Sequence, residues 1–494
     1  MPQVDSPDQI PAGIPIGQAY TMLAAADPGR MAAIHEQASV SRRELEELAN
    51  RLAREYERLG VSQDSMVTIG LPNGIEFIAA CLACWKLGAT PQPVPHRIPA
   101  PELEQIVELA DPALVLGVES MGRPWLAAGH SPDPSLPADP IEPPRTSACF
   151  KAPTSGGSTG RPKLILSGSP SLVDAPQLAA AVYQILPGRT HLVTGPLYHN
   201  GPFSAAFGAL LTGGSLVIMT RFDAQTCLSL VEGHRVDHVY LVPTMMQRIW
   251  RLPPAVRAGF EISSWRIAYH LAAPCPPWLK EAFIEWLGPE RVWELYGGTE
   301  QQLTTVISGV EWLAHRGSVG KPFRDLGEIR ILDSEGLELP PGEVGEVYLR
   351  RAEGLPPTYR YLGAEPKRAE GGWESLGDLG YLDSGGYLYL TDRLQDMVLV
   401  GGANVYPAEV EAALDAHPAV RSSCVIGMPD PDLGESVHAI VQLSEEVSDA
   451  DLKAWVAARL APYKVPRTVE RHDGYLRDDA GKVRRSALRA ERLR

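Results

Sequence analysis

Short apolar runs of β character alternate with stretches of helical period through much of the chain, and that alternation restricts the fold to an α/β architecture with parallel strands. Residues 41–59, SRRELEELANRLAREYERL, repeat their apolar positions with helical spacing, and Ser41 is placed to cap them. A strand-like VTIGL follows, then turn chemistry at Asn73-Gly74, then a helix over 75–87. Pro91, Pro93 and Pro95 lead into a second apolar strand, ALVLGV at 113–118. The stretch 131–145 carries six prolines and reads as a surface loop or linker. From 150 to 330 the α/β style repeats, with SLVIM, DHVYLVP, WRIAYH and RVWELYG as strands.

After residue 327 the pattern changes. GEIRILDSEGLELPPGEVGEVYLR and GYLDSGGYLYLTDR are short alternating strands separated by Gly/Pro turns, the second a hairpin turning at Ser384-Gly385-Gly386. A compact piece then begins. MVLVGG is a strand, Pro407 opens a helix where its missing N–H costs nothing, VRSSCVIGM and VHAIVQL are strands, and Ser448 caps a further helix. The expected fold class is α/β: a large N-terminal domain of α/β subdomains plus a small antiparallel β unit, followed by a small α+β C-terminal domain. The expected boundaries are 1–392, a hinge at 393–396, and 397–494.

Composition narrows the function. A net charge of −15 and a pI near 5.3 disfavour a nucleic-acid partner, which demands a basic face. No apolar run approaches a membrane span and no leader pattern opens the chain, so the expected compartment is the cytoplasm. Six scattered cysteines are too sparse for a disulfide framework, and Cys81-x-x-Cys84 lies inside a helical pattern, which favours packed thiols over redox chemistry. Lysine is rare, nine residues in 494, so the lysines that fall inside motifs stand out.

Four motifs carry chemistry. Ser155-Gly156-Gly157-Ser158-Thr159-Gly160-Arg161-Pro162-Lys163 combines glycines, hydroxyls and a lysine, the groups that bind polyphosphate, although it is neither a Walker A loop nor a kinase glycine loop. Tyr296-Gly297-Gly298-Thr299-Glu300 follows a strand, where ligands sit in open α/β sheets. Its tyrosine can stack on a base and its glutamate can hold Mg²⁺. Asp378, in Gly377-Asp378-Leu379-Gly380, can accept two ribose hydroxyls. Gly481-Lys482 lies in a basic tail which, taken alone, reads as a solvated helix.

In this order and at these spacings the motifs resemble the adenylate-forming superfamily of acyl-CoA synthetases, adenylation domains of nonribosomal peptide synthetases, and luciferases. The branch most similar in look is that of bacterial acyl-CoA ligases for bulky or long-chain acids. The resemblance runs from LPNGIEFIAACLACWKLGATPQPV to GKVRRSALR. It implies an ATP-dependent acid–thiol ligase that makes an acyl-AMP and then an acyl-CoA, with ATP, Mg²⁺ and coenzyme A as cofactors.

By that resemblance Ser155, Ser158, Thr159, Gly160 and Lys163 hold the β- and γ-phosphates. Thr299 contacts the α-phosphate and Glu300 binds the metal. Tyr296 and Ala272-Ala273-Pro274 sandwich adenine, while Asp378 and Arg393 take the ribose. Lys482 is the mobile catalytic lysine and His199 gates the acyl pocket, with Phe203, Ala206 and Gly297 beside it. Gly401, Gly402 and Asn404 line the thiol tunnel in the second pose of the C-terminal domain, and Gln395 stands at the hinge, where the family usually has aspartate or lysine. Gly156 replaces a hydroxyl and Leu164 a glycine, and neither change removes a group the chemistry requires. Small residues at Ser204, Ala205, Ala206 and Gly208 either leave room for a wide acid or allow close helix packing. The small-molecule partner is a carboxylic acid. A carrier-protein thiol is an alternative acceptor, though no carrier domain follows Lys482, and a homodimer is possible. A non-catalytic adenylate-binding protein is the reading from a different class.

Overall fold

Thr190–Val193, Ser215–Ile218, His238–Leu241, Ile267–His270 and Val292–Tyr296 lie side by side as parallel strands, each a run of largely apolar residues covered on both faces. The computed structural model describes residues 10–120, 122–156, 162–393, 396–478 and 481–493. The parallel strands continue on one side into Met31–His35 and Ala38–Ser41. On the other side the pairing turns antiparallel, Val292–Tyr296 with Thr305–Ser308 and Thr305–Ser308 with Ser318–Pro322, and Ser318–Pro322 pairs in turn with Leu388–Arg393. The antiparallel unit expected after residue 327 is therefore an extension of the main sheet, with Gly327–Leu332, Gly345–Arg351 and Trp373–Leu382 at its far end. The hairpin turn falls where expected, held by Asp383, whose Oδ1 accepts from the N–H groups of Gly385 and Tyr387.

A second parallel sheet holds Thr90–Pro93, Met66–Ile69, Leu114–Leu116 and Trp125–Leu126. Here the sequence reading needs correction. Pro91 and Pro93 are not a lead-in to the next strand. They form an edge strand themselves, a place in a sheet where a residue without an N–H is tolerated. A helix, Ala100–Ala110, separates them from Leu114–Leu116. The capping expectations hold: Ser41 forms a reciprocal capping box with Glu44, and Ser448 Oγ accepts from Asp451 N–H at the start of Asp449–Ala457. Cys81 and Cys84 are fully buried on the helix Ile75–Lys86, and burial pushes both thiols above their ordinary range, as packed thiols require.

The C-terminal domain is a separate five-stranded sheet of Val398–Val400, Ala403–Val405, Val420–Asp430, Gly434–Leu443 and Thr468–Arg471 with its own apolar core around Val410, Leu414, Val437 and Leu452. Its basic tail is not a solvated face. Arg485 pairs with Glu411 and Asp396, Arg489 with Glu435, and Arg492 with Glu470, so the last helix, Arg485–Arg492, is clamped to its own sheet by charge. Among the described residues no helix is long and apolar enough to cross a membrane.

One group in the core of the large domain runs against its surroundings. Lys151 is 3% exposed, packed against the rings of Phe150 and Phe203, and its ammonium donates to Ser204 Oγ at 2.6 Å and to Asn200 Oδ1. Burial lowers its pKa from 10.5 to about 7. The unfolded chain therefore binds more protons than the folded one between pH 7 and 10.5, and this residue's contribution to stability rises with pH across that window. Lys151→Met is expected to stabilise the protein most below pH 7, with the gain fading towards pH 10.5. Melting temperatures of the two proteins measured across pH 6–10 check this, and a constant difference contradicts it.

Candidate active site

The turn 296–300 leaves the carboxyl end of Val292–Tyr296, at the junction where the parallel strands meet the antiparallel extension. Behind it the strand is stiffened by a buried pair, Lys280 Nζ to Glu294 Oε2 at 2.5 Å, with the ring of Trp312 over the ammonium. The two ends of the turn reach different partners. Tyr296 donates its hydroxyl to Asp378 Oδ2 at 2.7 Å, which places the aromatic ring and the candidate ribose carboxylate together. Glu300 Oε1 lies 3.5 Å from Lys163 Nζ and accepts from Tyr361 Oη at 2.5 Å. A Cβ on Gly298 would fall 2.7 Å from Glu300 Oε2 and 2.5 Å from Leu376 Cδ1, so the turn closes over its own carboxylate only with glycine there.

Lys163 arrives on the hairpin of Thr154–Gly156 and Pro162–Ser167, in which Ser155 pairs with Lys163 across the ladder. That hairpin brackets the segment 157–161, so Ser158, Thr159 and Gly160 lie outside the described residues, as do the side chains of Ser155 and Arg393 and the whole of Gln395. The backbone of Arg393 pairs with Asp378 between neighbouring strands. Thr299 is half-buried between Gly298 and the buried Glu300. Ala272, Ala273 and Pro274 follow the end of Ile267–His270, the strand beside Val292–Tyr296, so they rise next to the turn that carries Tyr296. Ala272 adopts a φ of 76°.

His199 is the N-cap of the helix Asn200–Leu211, and its Nε2 is shut off from solvent with no partner. Burial, with the charge of Lys482 second, lowers its pKa to about 3, so the imidazole is neutral. Asn73 positions this corner. Its Nδ2 donates to Gly195 O and Met219 O and its Oδ1 accepts from Leu197 N–H, a role that the turn reading of Asn73-Gly74 did not foresee. Phe203 and Ala206 are buried in the main core rather than on an open cleft. Gly208 faces the backbone of Asp174–Val182, where a Cβ would lie 3.1 Å from Ala180 N, so of the two uses open for a small residue it serves close helix packing. Gly297 is exposed on the turn.

The C-terminal domain presents Lys482 to this corner, close enough for its charge to act on His199. Lys482 sits on a tight turn in which its N–H donates to Asp478 Oδ1 at 2.9 Å and its carbonyl accepts from Asp478 N–H. Gly481, at φ 75°, presses against the large domain: a Cβ there would lie 3.0 Å from Thr244 Oγ1 and 3.3 Å from Val242 Cγ2. Beside it, Arg251 of the large domain donates to the carbonyls of Arg421 and Val420, and Arg477 donates to the carbonyls of Gly481 and Ser423. Gly401, Gly402 and Asn404 are exposed on the hairpin between Val398–Val400 and Ala403–Val405. Gly401 N–H bonds to Leu433 O in the same domain.

The arrangement offers a hairpin carrying a lysine, a carboxylate of the kind a hard cation takes, an aromatic ring bonded to a second carboxylate, and a further lysine held near a neutral histidine. Among the described residues no three His, Cys, Asp or Glu side chains gather around one point, so no all-protein metal cage exists. A single carboxylate beside a lysine-bearing hairpin fits Mg²⁺, which keeps waters and takes phosphate oxygens as ligands. Tyr361, Asn73 and Arg251 were missed in the sequence. Only Asn73 lay within a stretch singled out there.

A family model described as "AMP-binding enzyme" matches residues 23–359, and one described as "AMP-binding enzyme C-terminal domain" matches 409–482. Feruloyl-CoA synthase of Amycolatopsis sp. is 31% identical over 482 residues, covering 94% of this chain and 96% of the relative. 2-Succinylbenzoate–CoA ligase of Bacillus velezensis is 30% identical over 93% of this chain and 95% of its own. Among solved structures, o-succinylbenzoate CoA synthetase from Bacillus subtilis, bound to its acyl-adenylate, superposes with a TM-score of 0.81 at 27% identity, covering 97% of this chain and 98% of that one. Amide bond synthetase from Marinactinospora thermotolerans gives 0.79 at 27%, covering 97% and 99%.

The seat of the smaller domain is open to direct test. Removing a charged donor's hydrogen bonds costs about 1.5–3 kcal/mol each, and forcing alanine into a left-handed conformation costs about 1–2 kcal/mol. Arg251→Ala and Gly481→Ala are both expected to loosen the contact between the domains, read as a larger radius of gyration in small-angle X-ray scattering. An unchanged radius in both variants contradicts the assigned contact.

Proposed function

The chain belongs to the AMP-binding enzyme family, and from that premise we propose that it activates a carboxylic acid with ATP and passes the acyl group to a thiol, coenzyme A by preference. The observation that carries this reading is the pair of contacts made by one turn: Tyr296 with Asp378 at one end and Glu300 with Lys163 at the other. A nucleotide laid along 296–300 has its base on Tyr296, its ribose on Asp378 and Arg393, its α-phosphate at Thr299, and its terminal phosphates at Ser155, Ser158, Thr159, Gly160 and Lys163. Glu300 would hold Mg²⁺, which supplies charge neutralisation for the polyphosphate. Ala272, Ala273 and Pro274 close the other face of the base.

The first half-reaction sets a carboxylate against a polyanion, so charge stabilisation dominates it. The acid's oxygen forms a bond to the α-phosphorus as the bond to pyrophosphate breaks. Lys482 brings its ammonium between the two anions. His199, neutral because it is buried, orients the carboxylate without competing for a proton. In the second half-reaction a thiol attacks the acyl carbon, AMP leaves, and the thiol proton is released. For this the smaller domain turns about 393–396, with Gln395 in the hinge, and Gly401, Gly402 and Asn404 come to the thiol path in place of Lys482. We place the domain boundaries accordingly, at 1–392 and 397–494.

For the acid, we propose a hydrophobic body, aromatic or long-chain. Support comes from relatives named for ferulate, succinylbenzoate and, in Mycobacterium tuberculosis, long-chain fatty acids, the last 28% identical over 90% of this chain. The helix Asn200–Leu211 contributes to the pocket through His199 at its start, whereas Phe203 and Ala206 back it from the core. A carrier-protein thiol is the second acceptor to examine, a homodimer the second assembly, and the cytoplasm the expected compartment.

The test is ATP–pyrophosphate exchange with acetate, ferulate, a fatty acid and a steroid acid, followed by offering coenzyme A and a holo-carrier protein separately. Exchange driven by a hydrophobic acid and thioester formed with coenzyme A are expected. Preference for acetate contradicts the proposed acid, and no exchange with any acid favours a non-catalytic adenylate-binding protein. Lys482→Ala is expected to slow acyl-AMP formation about 10²–10³-fold while leaving thioester formation from supplied acyl-AMP close to wild type. Equal loss in both half-reactions contradicts its assigned role.

A further inference from the structure

Lys163 and Glu300 pose a difficulty that a third residue resolves. They carry opposite charges, and their side chains are only 19% and 9% exposed. Closed into a direct pair in such a setting, they would form a strong charge-assisted bond and satisfy each other, and a polyphosphate and its cation would have to break that bond to enter. They stand instead as a loose ion pair at 3.5 Å, longer than the ~2.7–2.9 Å of a charge-assisted hydrogen bond. Tyr361 engages both groups. Its ring centroid lies 3.9 Å from Lys163 Nζ, and its hydroxyl donates to Glu300 Oε1 at 2.5 Å.

Tyr361 is itself fixed. Its strand, Tyr359–Leu362, runs antiparallel to Pro162–Ser167 with Tyr361 opposite Ile165, on the strand that carries Lys163. Tyr359 meets the Tyr361 ring edge-on at 4.8 Å and is held through its own hydroxyl to Glu374 Oε2 at 2.8 Å, and Glu374 is bonded in turn by Arg368 at 2.9 Å. The phenol thus approaches Glu300 from a braced direction and occupies Oε1, while Oε2 lies over Gly298 in the turn.

We propose that Tyr361 is a positioning residue of the phosphate and metal clamp, holding the Lys163–Glu300 pair at its open separation so that polyphosphate and Mg²⁺ can enter between the ammonium and the carboxylate. The inference rests on the nucleotide reading above and adds to it a residue with no direct part in the chemistry. Tyr361→Phe keeps the ring and loses the hydroxyl, and Tyr361→Leu loses both.

The measurements are calorimetric titration of ATP with and without Mg²⁺, and ATP–pyrophosphate exchange at varied Mg²⁺, with thermal melts of each protein. Tyr361→Phe is expected to raise the half-saturating Mg²⁺ by about tenfold, the scale of one charge-assisted hydrogen bond, with metal-free ATP binding close to wild type. Tyr361→Leu is expected to weaken metal-free ATP binding as well, because Lys163 is then free to close on Glu300. In both, kcat at saturating MgATP stays within about threefold, since the effect lies in assembling the clamp. Variants that bind ATP and Mg²⁺ like wild type overturn the proposal, as do variants that lose kcat or melting temperature alone. A wild-type protein that binds no nucleotide overturns the nucleotide reading itself.

Discussion

A five-residue turn at the end of one parallel strand is the constraint on which the site depends. Tyr296 and Glu300 are fixed to the same short loop, and the loop is fixed to a strand braced from behind by the buried Lys280–Glu294 pair. Each end of the turn finds a partner from another part of the chain. Asp378 comes from the antiparallel extension, and Lys163 from the hairpin that brackets 157–161. The distance between the aromatic ring of Tyr296 and the carboxylate of Glu300, the proposed base platform and cation site, is therefore limited by covalent geometry. This also explains why the antiparallel strands join the main sheet: Asp378 reaches Tyr296 because Leu388–Arg393, which pairs with its strand, also pairs with Ser318–Pro322.

The second feature is the way the smaller domain delivers Lys482. Its own core and sheet make it a unit, and its tail is drawn inward by ion pairs to Glu411, Glu435 and Glu470. Contact with the larger domain includes the carbonyls of Val420 and Arg421, which Arg251 gathers, and the close approach of Gly481 to Val242 and Thr244, while Arg477 ties Gly481 to Ser423 within the smaller domain. Such an interface is polar and specific in geometry, and it buries no large apolar face at these points. An interface of that kind can be made and released, as the proposed turning of the smaller domain between half-reactions requires.

Much of this was legible in the sequence. Strand–helix alternation gave the parallel sheet, and residue type with spacing singled out Lys163, Tyr296, Glu300, Asp378 and Lys482. Caps at Ser41 and Ser448 and the turn at Ser384-Gly385-Gly386 follow local rules and fell where those rules put them. What could not be read depends on contacts between distant segments. Pro91 and Pro93 look like breakers until the neighbouring strand shows that they lie at an edge. Gly208 could serve a ligand or a helix contact until the backbone at Ala180 is seen beside it. The tail looks solvated until acids from four other segments meet its arginines. Tyr361 carries no motif at all, and its role arises only from the register that sets it opposite Ile165.

The central claim is that the larger domain cradles one nucleotide along 296–300, with the smaller domain closing on it. A crystal structure with a non-hydrolysable ATP analogue and Mg²⁺ tests it most directly. The account predicts the base against Tyr296, the ribose on Asp378, and the terminal phosphates between the 155–163 hairpin and Glu300 with the metal on that carboxylate. A nucleotide bound elsewhere, or with Asp378 and Glu300 in different cavities, would contradict it.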